Sequence, residues 1–375
     1  MIRHGYTTCS VCHVDPSGAG LLTAYGRAQS ELLLSTRYSK RAESEGEEAS
    51  PRSEAFFGVL PLPEWLLVGG WLREGYLWNT SDGKLVDKRF LQMRADLGAH
   101  VSVGRFRANG TLGVANGASA ALAQQAWVTS NADKEGLNLV SREHWAGAEF
   151  ADGAVFVRAG RMNLPFGLRN IEHFSWVRSE TRTDTNQAQS HGLAASFAFG
   201  QWRGEAMALA GNLQLNPDRY RERGVSAFAE YAVSSSVAVG ASSLVTYAET
   251  DIASKRETYR HAHGLFARAA AKRLVLLAEA DLLGASTKQV GSEVGATAFV
   301  QADIEVVQGV HAMATFEALQ RAERDAKGSV GGWLSAAWFI YPHIDVRGDV
   351  VARSVLAATN SVTTTTYLLQ LHGYL

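Results

Sequence analysis

Val294-Gly295-Ala296-Thr297-Ala298-Phe299-Val300-Gln301-Ala302-Asp303-Ile304-Glu305-Val306 alternates from end to end. In an extended chain Val294, Ala296, Ala298, Val300, Ala302, Ile304 and Val306 share one side. Gly295, Thr297, Phe299, Gln301, Asp303 and Glu305 share the other. A side-chain period of two is that of a β-strand. An amphipathic helix would carry Asp303 and Glu305 round to its apolar side. The stretch therefore reads as a strand with one oily and one wet face, with Gln301 on the wet one.

The pattern repeats on both sides. Leu274, Leu276, Ala278, Ala280 and Leu282 oppose Glu279 and Asp281, and Val310, Ala312, Ala314, Phe316 and Ala318 oppose His311, Thr315 and Glu317. Asp345, Arg347, Asp349 and Arg353 alternate with Val346, Gly348, Val350 and Ala352. A soluble sandwich would bury the apolar face and show its charges to bulk water. A barrel in lipid inverts this and turns the charges into its lumen.

Connection lengths separate the two. Asp152-Gly153, Gly200-Gln201, Ser234 to Ser236, Lys272-Arg273, Gln308-Gly309 and Pro342-His343 are tight. Between them lie the longer polar runs Asn212 to Gly224, Asp251 to Thr258, Ser286 to Glu293 and Arg321 to Gly328. Short turns at one end and long loops at the other are the arrangement of outer-membrane barrels. Residues 64–375 are thus expected to form an all-β, transmembrane antiparallel β-barrel of about 16 strands, in contact with outer-membrane lipid.

Composition agrees. Of 375 residues 46% are hydrophobic and 19% charged, with 36 Gly and 7 Pro, and mean hydropathy is −0.09. No run of 18 apolar residues occurs, which excludes a helical membrane protein. A formal charge of −1 argues against a nucleic-acid partner.

The chain's two cysteines stand together in Cys9-Ser10-Val11-Cys12-His13. Cys-x-x-Cys-His is the attachment motif of a c-type haem: two thiols bond the vinyl groups and the adjacent His ligates the iron. A zinc site lacks further ligands at suitable spacing, His4 included, and a thioredoxin-like pair lacks its βαβ setting. One covalent haem c is expected on Cys9 and Cys12, with His13 as proximal ligand. Gly18 to Arg41 is expected to hold a short helix, with Leu21, Leu22, Tyr25, Leu32 and Leu33 at roughly helical spacing against the haem. Residues 1–41 thus read as a haem-binding segment and 42–63 as an acidic linker and lead-in. The linker lacks the spacing of a calcium loop. Export is required for both haem attachment and barrel insertion, so the sequence is expected to lack its leader or to begin at a mis-called start.

His4-Gly5-Tyr6, the motif, and Pro16-Ser17-Gly18-Ala19-Gly20-Leu21-Leu22-Thr23-Ala24-Tyr25-Gly26-Arg27 together resemble the haem-bearing N-termini of some bacterial outer-membrane barrels of the porin–cytochrome kind. The resemblance covers about 40 residues. It implies roles for Cys9, Cys12 and His13 and makes Tyr25 and Gly26 packing residues around the haem. The last strand, Tyr367, Leu369, Leu371, Gly373 and Leu375 on one face, resembles the terminal signal of outer-membrane barrels, though that signal usually ends in Phe or Trp. Gly160-Arg161-Met162-Asn163-Leu164-Pro165-Phe166-Gly167 is similar to a run in phosphate-selective-porin-like barrels.

That run opens a long outer segment reaching His191, with Arg169, His173, Arg178 and Arg182 against Glu172, Glu180 and Asp184. Two readings stand: a loop folded inward that narrows the pore, or a solvated loop of mixed charge. A second outer loop, about Asn116 to Gly136, carries an Ala-rich run, Ala118 to Ala123, suited to a short helix. Alternation turns Arg268, Lys272, Glu279, Asp281, Asp303, Glu305, Glu317, Arg347, Asp349 and Arg353 into the lumen, with Asp345 beside them. They mix both signs. For the sixth ligand of the iron His4, His372 and His311 are the candidates, with His343 behind them.

Two functions follow. The first is electron transfer at or across the outer membrane, with the haem segment in the periplasm and a periplasmic or outer-surface redox protein as partner. The alternative is a solute-conducting porin whose haem segment is a redox sensor or plug. An enzyme ranks third, because no distal acid/base or hydrolase motif is visible. The acidic linker of about 13 residues spans roughly 20 Å, enough to let the haem segment cap or enter its own barrel.

Overall fold

The computed structural model describes residues 2–37, 54–55, 60–116, 137–356 and 361–375, apart from the single positions 7, 17, 19, 171, 173, 174, 187, 216, 289 and 324. Most of the linker, the run 118–123 and His173 lie outside the described residues.

Alternation closes into a cylinder. In chain order the strands are β1 (Leu66–Ser81), β2 (Lys84–Val103), β3 (Phe106–Asn116), β4 (Leu137–Val140 and His144–Phe150), β5 (Val155–Met162), β6 (Ser190–Phe199), β7 (Trp202–Gly211) and β8 (Arg223–Ser234). They continue as β9 (Val237–Ala248), β10 (Thr258–Ala271), β11 (Leu274–Thr287), β12 (Gly291–Val307), β13 (Val310–Gln320), β14 (Ser329–Tyr341), β15 (Ile344–Val355) and β16 (Val362–Tyr374). Each strand pairs antiparallel with its neighbours in sequence, and β16 returns to β1, Tyr374 opposite Trp71 and Thr364 opposite Ser81. The result is a closed antiparallel barrel of sixteen strands, β4 being one strand in two stretches that both pair with β3. Closure leaves no strand edge unpaired, which a lipid surroundings demands.

Side chains obey the period. In β12 Val294, Val300, Ile304 and Val306 are about half or more exposed, while Thr297, Phe299, Gln301 and Glu305 are buried. Leu265, Leu282 and Leu334 stand out in the same way on β10, β11 and β14. A belt of exposed Leu and Val this long is lipid-facing surface. Exposed Phe106, Phe150, Phe199, Trp202, Trp338 and Tyr341 sit beside the tight turns and form one aromatic girdle at that end. Turn lengths alternate as expected, with two exceptions at the loop end, where Asp82-Gly83 and residues 288–290 make short connections. No helix among the described residues is long and apolar enough to cross a membrane.

Two elements occupy the lumen. One is the N-terminal segment, with helix α1 (Ala24–Leu33) shorter than the expected 18–41 and capped by Thr23, whose hydroxyl accepts from Gly26 N at 3.0 Å. The other is the connection between β5 and β6. It leaves the wall at Asn163, turns in at Pro165, and carries helix α2 (Trp176–Thr181), whose Trp176 and Val177 are buried.

Candidate functional site

The Cys-x-x-Cys-His motif is a single tight turn. Cys9–Val11 is 3-10 helical, and the backbone N–H groups of Cys12 and His13 both donate to the Cys9 carbonyl, at 3.2 and 3.0 Å. The chain then doubles back: Val14 N donates to Leu21 O, and Thr23 N to Cys12 O, both at 2.9 Å. Gly26 lies so close to Cys12 that a Cβ there would overlap the Cys12 carbonyl, which is why α1 carries a glycine at this crossing. Tyr25 meets Tyr6 through their hydroxyls at 2.7 Å. Gly26 therefore packs on the motif turn itself, and Tyr25 meets the chain just before it.

The segment is seated by polar contacts with the wall. Asp15, fully buried, accepts from Arg158 of β5 at 3.1 Å, and Arg158 also holds Glu205 of β7 at 2.6 Å. Arg203 of β7 donates to Cys9 Sγ at 3.2 Å and Arg268 of β10 to the Tyr6 carbonyl at 3.3 Å. Arg3 pairs with Glu305, Arg27 donates to the Val68 carbonyl, and Glu31 meets His343 at 3.2 Å. Thr36 N donates to Phe339 O at 2.9 Å, and Gln308 reaches the Leu32 carbonyl at 3.0 Å. Leu21 is wholly buried over Gly69 and Gly98 of β1 and β2. These partners come from strands all round the tight-turn end, so residues 2–37 stop that end of the lumen.

Between the segment and the wall lies a cavity of about 200 Å³ that opens to solvent. Cys9 and His13 line it, with Leu67, Phe156 and Phe228 as apolar wall, Arg107 and Arg203 as cations, and His100 of β2. His13 makes a hydrogen bond to the Gly20 backbone, and burial holds its imidazole below the usual range, in the neutral form that binds a metal. Its Nδ1 is buried with no hydrogen-bond partner. One ring nitrogen oriented by backbone and another left over is the pattern of a metal-ligating histidine. Cys12 is 7% exposed and does not line the cavity; burial pushes its thiol up. Cys9 and His13 are thus the two motif residues that could meet a group held in this cavity.

The three histidines expected as sixth ligand are elsewhere. His311 Nδ1 bonds Asp303 at 3.0 Å, and His4 lies beside it in a separate, smaller cavity. His372 Nδ1 bonds Asp345 at 2.8 Å and stacks on Tyr374. None of the three lines the His13 cavity.

The charged wall residues divide by what they hold. Arg268 and Glu305 face the segment. Glu279, Glu317 and Arg347 hold the inward connection: Leu168 N donates to Glu279 at 2.9 Å, Trp176 N to Glu317 at 2.9 Å, and Arg347 grips Glu172 with two bonds of 2.8 and 3.0 Å. Arg178 pairs with Glu279. Gly167, with φ of 60°, passes so near Glu279 that any Cβ would strike its carboxylate. Arg353 pairs with Glu317 and lies over Trp176, while Asp349 pairs with Arg347. Asp281 is buried with both carboxylate oxygens lacking a hydrogen-bond partner. Lys272 sits in the exposed turn after β10 with φ of 54°, outside the lumen wall. Of the two readings of the β5–β6 connection, the inward fold is the one observed.

Sequence reasoning missed His100, Arg158, Arg203 and Glu205. The signal for His100 was present: Asp96, Gly98, His100 and Ser102 alternate with Leu97, Ala99 and Val101. The same holds for Arg158 against Val157 and Ala159.

No family model and no curated protein matches the chain. Solved structures do. The outer-membrane OmpT of Vibrio cholerae superposes with a TM-score of 0.63 at 12% identity, covering 83% of this chain and 97% of that one. An anion-selective porin from Comamonas acidovorans gives 0.59 at 11% identity, covering 83% and 99%. The outer-membrane channel DcaP of Acinetobacter baumannii gives 0.57 at 12%, covering 83% and 97%. Such likeness establishes the fold, and the fold is the sixteen-stranded barrel of bacterial outer-membrane porins.

Proposed function

We propose that the chain is an outer-membrane electron-transfer protein: a porin-like barrel whose N-terminal segment carries one haem c on Cys9 and Cys12, with His13 as proximal ligand. The observation that carries this reading is the opening of Cys9 and His13 onto one lumen cavity, in a segment seated by buried ion pairs. When bound there, the group supplies one-electron chemistry. The chain's own residues do the rest. Asp15 and Arg158 fix the segment, Leu67, Phe156 and Phe228 supply the apolar wall, and Arg107, paired with Glu149, and Arg203, paired with Glu230, set charge beside it. In an outer-membrane barrel the tight-turn end faces the periplasm, so the haem is presented there to a periplasmic redox protein. One haem cannot cross about 25–30 Å of hydrocarbon, so onward transfer to the surface needs a second carrier at the loop end.

The alternative, a solute porin whose haem segment is a redox-sensing plug, is favoured by one observation: the segment stops the lumen it sits in. Both readings need the haem. The test is the full chain exported in a host with c-type maturation. Haem retained after acid-acetone extraction, with the pyridine haemochrome of two thioether bonds, is the expected result. Extractable haem, or none, overturns it.

A further inference from the structure

We propose that His100 of β2 is the second axial ligand of the iron, so that the metal is held between a histidine of the segment and one of the barrel wall. The inference rests on the haem reading above and goes beyond it. It names the coordination that ties plug to barrel.

Three observations converge. His100 and His13 line the same cavity although they come from separate parts of the molecule. The His100 side chain is buried, and its Nδ1 has no hydrogen-bond partner. Its Nε2 meets the hydroxyl of Ser102 at 3.1 Å, and Ser102 lines that cavity too. Edge-on packing against Trp145, ring centroids 5.8 Å apart, fixes the imidazole plane. A buried ring nitrogen with no hydrogen-bond partner is costly unless a ligand satisfies it, and its lone pair is what an iron would take.

Competing ligands are accounted for. His144 and His191 bond each other at 3.1 Å, and His343 bonds Glu31. No methionine lines the cavity. Two imidazoles on one iron give a six-coordinate, low-spin centre, the electronic state of an electron carrier rather than of a haem that binds small ligands. The iron–His100 bond would also be a cross-link: release of the segment from the lumen would require breaking it.

The test uses the full chain with its haem. Wild type is expected to be low-spin by electron paramagnetic resonance. His100→Ala is expected to lose that signal for a high-spin one and to regain it on adding free imidazole, while His311→Ala and His372→Ala keep the wild-type spectrum. His100→Met preserves side-chain volume and covers the case in which Ala fails to fold; it is expected to show the His–Met charge-transfer band and a raised potential. A high-spin wild type, or a low-spin spectrum unchanged by both His100 substitutions, overturns the ligand assignment and leaves the haem reading intact. Absence of thioether-bound haem in wild type overturns both.

Discussion

Arg158 is the side chain on which the seat of the N-terminal segment turns. It is 1% exposed and bridges Asp15 of the segment to Glu205 of the wall, each equally buried. Removing one member of a buried ionic group strands the others, at about 3–5 kcal/mol. Arg158→Met should therefore release the segment while leaving the strand ladder intact. Limited proteolysis of protein in lipid reads this directly: rapid cleavage before residue 37 is expected in the variant and slow cleavage in wild type. Equal protection in both would place the anchor elsewhere. Residues of this kind show how far sequence reaches. Cys9, Cys12 and His13 could be singled out because their pattern is local, contained in five consecutive positions. Arg158 and His100 were not, because what they do depends on the atoms facing them across the lumen, and period two assigns only the face.

Strands were the most legible elements, since each states its own two faces. Val300, at the middle of β12 and 49% exposed, faces lipid, so Val300→Arg should cost about 2–4 kcal/mol and Ser292→Arg, at the strand end, about 0–1. Refolding into lipid, followed by the heat-dependent shift of the folded band on a gel, measures both; equal costs would remove the membrane assignment. The wet face held a surprise. Gln301 was expected to look into water, yet it is buried and donates to Thr315 Oγ1 at 3.0 Å. The adjoining lumen is packed by Val177 of α2 with Phe299, Trp333 and Val351. Alternation told lumen from lipid but not what fills the lumen. The inward connection is held in turn by an outer loop. Arg182 reaches Asp251 at 2.5 Å, and Ala253 N and Ser254 N donate to the same carboxylate at 2.9 and 2.8 Å. Burial alone would raise Asp251, but Arg182 and the two amides outweigh it and hold it at about 2, below its ordinary 3.8. A depressed carboxylate adds stability that is complete above the unfolded value. This clamp is therefore whole above pH 4 and lost as pH falls through about 2, at a cost of about 2 kcal/mol. Asp251→Asn should abolish that acid-sensitive step in thermal unfolding; a step that persists in the variant belongs to another group.

At the scale of the molecule the barrel is a sheath around two inserts that enter from opposite ends. The linker's reach allowed the segment to enter its own lumen, and the structure shows it there, but the seat itself was illegible, being made by Arg203, Arg268 and Glu305 of distant strands and by His343 of a turn. An open sixteen-stranded barrel is wide enough for water and solutes. Here the segment stops the tight-turn end, and α2 with its flanks narrows the rest through Arg178–Glu279 and Arg347–Glu172. Conductance thus separates carrier from channel. The full chain in planar bilayers is expected to show no steady openings, since both inserts are tied by buried charges. Deleting residues 1–37 should open a pore of the reduced width that the β5–β6 connection leaves, because none of the bonds holding that connection to Glu279, Glu317 or Arg347 involves the segment. If the full chain conducts as well as the deleted one, the segment does not stay seated in the membrane, and the solute-porin reading takes the place of the electron carrier. If reduction of the haem alone switches the full chain from silent to conducting, the segment is a redox-operated plug, and the ion pairs at Asp15 and Arg3 are the contacts that must give way.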